Sequence, residues 1–199
     1  MMKQNAELRA EARAALGGKW VMAAVATLVF TAVAGAASYI PLVGFILVAL
    51  PLGYGYAMTL LDVVRGGNDV NIGTLFVGFN DFGRIVGTKL LKAIYTFLWS
   101  LLLVIPGIVK MYSYAMTDYI LRDEPQLANN AAIEKSMSMM DGNKMKLFML
   151  DLSFIGWAIL CMFTLGIGYL FLQPYVEASH VAFYEDLKAQ AVEEVIVEG

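Results

Sequence analysis

The chain holds one cysteine, Cys161, and one histidine, His180, in 199 residues. A lone cysteine excludes an intramolecular disulfide and any cysteine-based zinc site. A lone histidine removes multi-histidine metal centres and makes Ser-His-Asp machinery a poor fit. Charge is scarce too, at 16% of residues. With 14 Lys+Arg against 17 Asp+Glu the net charge is −3, so there is no basic excess to grip nucleic acid. The glycine-rich stretches lack the Lys-Ser/Thr ending of a phosphate-binding loop. No cofactor and no metal is expected.

What the chain has in excess is apolar side chain, 59% of residues, with a mean hydropathy of +0.66. A water-soluble domain of this size cannot hide that much in one core. Disordered chains are apolar-poor and charge-rich, the opposite of this composition. The expectation is an all-α, polytopic membrane helix bundle, a single integral membrane domain over 1–190 with a cytoplasmic tail over 189–199.

From Trp20 to Leu61 no charge occurs for 42 residues, about 63 Å as a helix and twice a hydrocarbon core of roughly 30 Å. The run must fold back, and Pro41 and Gly44 supply the break. Spans are expected over about 20–38 and 43–62. A cleavable leader ending near Ala34-Gly35-Ala36 is the alternative, but the charged segment through Lys19 is long for that role. Further uncharged runs cover Ala93–Val109 and Leu152–Val176. Each leads through a glycine break, Pro106-Gly107 or Gly166-Ile-Gly168, into a less apolar stretch, about 108–122 or 167–187. These second stretches either span fully or stop in the inner half of the bilayer. The count is about six helices. Thirteen of the 14 basic residues fall on one side of this threading, and only Lys110 lies near an opposite-side turn. Positive charge marks the cytoplasmic side, so both termini are expected there.

The three hairpins read as repeats, about 5–70, 71–124 and 125–188, each entered by a short helix and a glycine with a basic residue. Tyr56-Ala-Met-Thr59 recurs as Tyr114-Ala-Met-Thr117, and Trp99 recurs as Trp157, both 58 residues on. Asn71 can cap a helix on which Ile72, Leu75, Phe76 and Phe79 share one apolar face, suited to lying among headgroups. That face is a candidate docking surface for lipid or for a cytoplasmic partner. Pro125 can open another helix, with Ile133, Met137 and Met140 on one face and Glu134 and Lys135 off it.

Several runs carry a resemblance. They are Ala10-Glu-Ala-Arg-Ala-Ala-Leu16 leading to Trp20, Leu75-Phe-Val-Gly-Phe79 with Phe82-Gly83, and Trp99 through Ile108. Leu150 through Trp157 and Thr164-Leu-Gly-Ile-Gly168 with Pro174-Tyr175 complete the set. On these the chain resembles a family of uncharacterised bacterial integral membrane proteins, domain of unknown function 975, over about 1–190. The resemblance implies a polytopic protein of the bacterial cytoplasmic membrane with no assigned activity.

Intramembrane charge is costly, so each case needs a reason. Gln173, Glu177, His180 and Tyr184 form one helical stripe. Lys110, Tyr114 and Asp118 form a second, and Lys89, Lys92, Thr96 and Ser100 a third. With Asp151 these residues mark a polar seam among the last four helices, its core set being Lys92, Lys110, Asp118, Asp151, Gln173, Glu177 and His180. Lys89, Lys92 and Lys110 balance Asp118, Asp151 and Glu177, which points to mutual ion pairing that fixes helix packing. A water-filled groove passing a solute or proton is the alternative, with Glu177 as a carrier. The Glu177-Ala-Ser-His180 spacing resembles half of a di-iron site, but such a site needs two. Gly83-Arg-Ile-Val-Gly87 and the stripe Ala23, Thr27, Thr31, Gly35 allow close helix approach, within the monomer or in a homo-oligomer.

No nucleophile–base pair is visible, so the expected role is non-enzymatic: a membrane scaffold, adaptor or regulatory subunit. The alternative is a small transporter or lipid-handling protein that uses the seam. Expected partners are the bilayer and a membrane or cytoplasmic protein, with no nucleic acid.

Overall fold

The computed structural model describes residues 2–67 and 69–198, and every regular element among them is helical. Helix α1 (Asn5–Ala15) is closed at its start by Glu7, whose carboxylate accepts the Gln4 backbone N–H at 2.7 Å. Leu8 and Ala12 leave no surface exposed, because α1 lies along the last helix, α10 (Tyr169–Glu198). The two run in opposite directions. The Lys3 backbone N–H meets Asp186 at 2.9 Å, while Arg13 sits by Tyr175. The tail expected over 189–199 is largely a continuation of α10, which runs on to Glu198.

The first hairpin pairs α2 (Trp20–Ala37) with α3 (Leu50–Val64), the latter entered through a π-helical turn at Phe45–Ala49. The return at Pro41 and Gly44 falls where the sequence places it. Helix α3 is the axis of the fold: twelve of its fifteen residues are buried. It packs against α2, α10, α4 (Phe82–Leu102) and α6 (Thr117–Asp123).

Residues Ile72–Phe79 form a 3-10 helix, capped by Asn71, whose Oδ1 accepts the Gly73 N–H at 2.8 Å. The apolar spacing predicts an α-helical face there, and the tighter winding splits it. Leu75 is fully buried against α3, whereas Phe76 and Phe79 remain exposed. The cause is the approach to α3: a Cβ on Gly55 would lie 1.9 Å from the Leu75 carbonyl oxygen, and one on Gly78 would lie 2.2 Å from that of Pro51. Only paired glycines allow backbones this close.

In the second hairpin α4 returns as two helices, α5 (Val104–Ser113) and α6, rather than the one expected over 108–122. The break at Tyr114–Met116 is served by Ser136, on α7 (Asn129–Met139). Its buried hydroxyl accepts the Met116 N–H at 3.2 Å and donates to the Ser113 carbonyl at 2.9 Å. The repeated tetrapeptide therefore has two conformations. Tyr56–Thr59 lies within α3, while Tyr114–Met116 forms the break and Thr117 starts α6. Helix α7 is opened at Asn129 and not by Pro125; on its inner face Ile133 and Met140 are buried and Met137 half-buried, while Glu134 and Lys135 are exposed, as the spacing predicts.

The third hairpin consists of α8 (Lys144–Leu152), α9 (Ile155–Phe163) and α10. All three hairpin tips are bare and apolar: Leu42 is 71% exposed, Ile105 75% and Leu165 95%. Among the described residues three segments are long and apolar enough to cross a membrane: Trp20–Ala37, Phe45–Val64 and Lys144–Phe163. Helix α4 has 21 residues, about 31 Å, but carries Lys89 and Lys92 inside it.

Candidate functional site

The residues of the expected seam come together in three small groups. In the first, Lys89 Nζ donates to Asp118 Oδ2 at 2.6 Å, and Lys92 Nζ lies 3.6 Å from Oδ1. The three side chains are 12%, 26% and 15% exposed for Lys89, Lys92 and Asp118, so this ion triad is largely desolvated. Helix α4 supplies both lysines one turn apart, and α6 aims Asp118 between them.

The second group joins α8 to α10 and α5. Asp151 Oδ1 pairs with His180 Nε2 at 2.5 Å, and Oδ2 accepts the Tyr112 hydroxyl at 2.9 Å. In the third, Glu177 Oε1 accepts the Tyr119 hydroxyl at 2.8 Å. The Tyr119 ring in turn stands 5.1 Å from that of Tyr184. Glu177 therefore has a phenol partner where the charge balance predicts a lysine.

Two residues of the expected seam lie elsewhere. Lys110 sits in an aromatic corner, with Nζ 5.0 Å from the Trp99 ring centroid, 6.0 Å from that of Tyr114 and 3.8 Å from Met137 Sδ. Its charge is met by ring faces rather than by a carboxylate. Gln173, on the same helix as Glu177, is exposed. With Lys110 removed, His180 takes the third basic place, opposite Asp151.

Sequence reasoning missed Tyr112 and Tyr119, which close two of the three groups. On one continuous helix both would face away from the stripe Lys110, Tyr114 and Asp118; the break between α5 and α6 brings them to their carboxylates, so no spacing in the sequence marks them. Sequence reasoning also missed a second cluster, at the ends of α3 and α6 and beyond the candidate spans. Arg65 grips both oxygens of Asp123 at 2.8 Å each. Tyr184 and Lys188 meet the same carboxylate at 2.9 and 2.5 Å, and Arg65 Nε reaches Glu185 at 2.8 Å. Burial acts to raise the Asp123 pKa, but the hydrogen bonds from Arg65, Lys188 and Tyr184 outweigh it and hold the carboxyl well below its ordinary range. The hydrogen bond to Asp123 raises Arg65 in turn. Tyr184, expected on the seam stripe, belongs to this cluster.

Among the described residues no group of three or more His, Cys, Asp or Glu side chains is placed to hold a metal ion. The pairings are ionic and hydrogen-bonded contacts, which position helices and can hold or move protons. The expected docking face divides in two. Leu75 is packed inward, while Phe76 and Phe79 stand 6.3 Å apart, and Phe79 continues to Phe82 at 6.5 Å.

The class is an all-helical protein with bare apolar hairpin tips and three small groups of paired polar side chains. The chain matches the family described as protein of unknown function (DUF975) in two segments, residues 1–113 and 100–191, and it belongs to that family. Comparison with curated proteins and with solved structures gives no match.

Proposed function

We propose that this chain is an integral membrane protein of the bacterial cytoplasmic membrane and acts as a non-enzymatic scaffold, adaptor or regulatory subunit. One observation carries the role. The charged groups inside the bundle close on their neighbours, Lys89 and Lys92 on Asp118, His180 and Tyr112 on Asp151, Tyr119 on Glu177. Charges bound in this way fix helix packing. Membrane residence is supported by three segments of spanning length and by the apolar tips. The thirteen-to-one distribution of basic residues supports cytoplasmic termini. The six-helix threading is the same proposal, with the second and third hairpins entering from the cytoplasmic side. The partner is a membrane or cytoplasmic protein, met through the cytoplasmic helices and the Phe76–Phe79 face, or a second copy of the chain.

One observation favours the alternative of a small transporter or lipid-handling protein. Asp118 Oδ1 is shielded from solvent and, with Lys92 Nζ 3.6 Å away, accepts no hydrogen bond among the described residues. The two roles separate in proteoliposomes. The scaffold requires no more pH-driven flux than empty vesicles show. A flux that disappears in Glu177→Gln establishes transport. C-terminal reporter fusions test the threading, and activity on the outer side overturns it.

A further inference from the structure

Between the α1–α2 junction and the two arms of the last hairpin lies an apolar cleft of about 360 Å³. Trp20 and Trp157 stand on its walls, and Cys161 and Gly168 bring the hairpin arms together beside it. A Cβ on Gly168 would lie 2.7 Å from Cys161 Sγ and 3.2 Å from its Cα, so the arms approach closely here. The volume is at the low end of small-molecule sites, room for one hydrocarbon chain rather than a whole lipid.

One end of the cleft is basic. The Arg13 guanidinium lies 6.0 Å from the Tyr175 ring centroid, and Tyr175 is itself held edge-on by Trp20 at 6.0 Å and Phe154 at 5.1 Å. Arg13 is exposed and has no ion-pair partner among the described residues. One turn earlier on α1, Arg9 has its Nε shielded from solvent and without a hydrogen-bond partner. The carboxylates nearby in sequence are engaged elsewhere, Glu7 at the start of α1 and Glu11 with Lys3. An apolar slot ending at an uncompensated guanidinium is complementary to a molecule with a hydrocarbon chain and an anionic head.

We propose that this cleft binds an anionic phospholipid of the bilayer, one acyl chain between Trp20 and Trp157 and the phosphate on Arg13. Net negative charge on the headgroup provides the selection. A zwitterionic lipid carries its own cation and gains less from Arg13. The site lies apart from the polar seam, and it rests on the membrane reading given above.

Two of the three tryptophans line the cleft, which makes the test direct. In a Trp99→Phe background the protein is reconstituted in phosphatidylcholine vesicles. A fixed fraction of brominated lipid is added, as phosphatidylglycerol or as phosphatidylcholine. Brominated phosphatidylglycerol should quench Trp20 and Trp157 with an apparent preference of about fivefold, the worth of one basic residue beside an anionic lipid. Arg13→Gln should abolish the preference while quenching by phosphatidylcholine persists, and Arg13→Lys should keep most of it. Equal quenching by both lipids in the parent, or an unchanged preference in Arg13→Gln, overturns the site and leaves membrane residence intact. No quenching by either lipid overturns membrane residence, and the site with it.

Discussion

Gly55 of α3 lies so close beneath Leu75 that a methyl group on it would sit 1.9 Å from the Leu75 carbonyl oxygen. The listener on the other side is backbone rather than a flexible side chain, so neither partner can swing aside. Gly55→Ala must push the 3-10 helix off the central helix. The expected cost is about 3 kcal/mol or more, seen as a lowered melting temperature in mild detergent or as loss of folded protein. An unchanged melting curve would show that the segment can shift freely.

Among the described residues Asp118 is the sole carboxylate holding Lys89 and Lys92. Asp118→Asn leaves two like charges, largely desolvated, facing a neutral group. Stability should fall by roughly 3 kcal/mol, and adding Lys89→Met should recover part of the loss. If the double variant is no better than the single one, the triad is not what the aspartate supports.

Ser136 serves both backbone groups at the break between α5 and α6. Ser136→Ala deprives a buried N–H and a buried C=O of their partner together, at a cost of about 2 kcal/mol. Hydrogen exchange should report it first at Met116. Parent-like protection there would assign the break to another cause.

Asp123 has a depressed pKa, so its contribution has a defined sign. It is fully present above the ordinary carboxylate value, near pH 4, and is lost as pH falls toward the lower folded value. Asp123→Asn should therefore cost roughly 2 kcal/mol at pH 7, allowing for the part-exposed Arg65 and Lys188, and progressively less in acid. Denaturation curves at pH 7 and below pH 4 check this. A penalty independent of pH would contradict it.

Phe76 and Phe79 are the exposed large side chains of the 3-10 segment. Replacing both with Asp should free residues 70–80 to proteolysis in membranes if the rings hold headgroups or a partner. Equal protection would mean that Leu75 and the glycine contact anchor the segment alone.

The first hairpin was legible because 42 uncharged residues admit few other arrangements, and Pro41 and Gly44 mark the return. Helical spacing also gave the buried face of α7. It names a face, however, and not the neighbour that meets it. Thus the spacing turns Glu177 inward but says nothing of its partner, Tyr119. Charge balance along the sequence points Lys110 to a carboxylate, whereas aromatic rings from α4 and the end of α5 receive it. The break at Tyr114–Met116 could not be read locally, since the residue that satisfies it lies 20 positions on. The 3-10 winding over Ile72–Phe79 has the same origin, a contact with α3 that no window of sequence contains.

Helix α10 meets the cleft at Tyr175, the seam at Glu177 and His180, and the charge cluster at Tyr184 and Lys188. From Tyr175 to Lys188 is 13 residues, about 20 Å of unbroken helix. Pro174 precedes that stretch and leaves its hydrogen-bond ladder whole. The three places are therefore stations on one stiff rod. A tilt imposed at the Tyr175 end must be taken up at the Lys188 end, as the handle of a lever follows its tip.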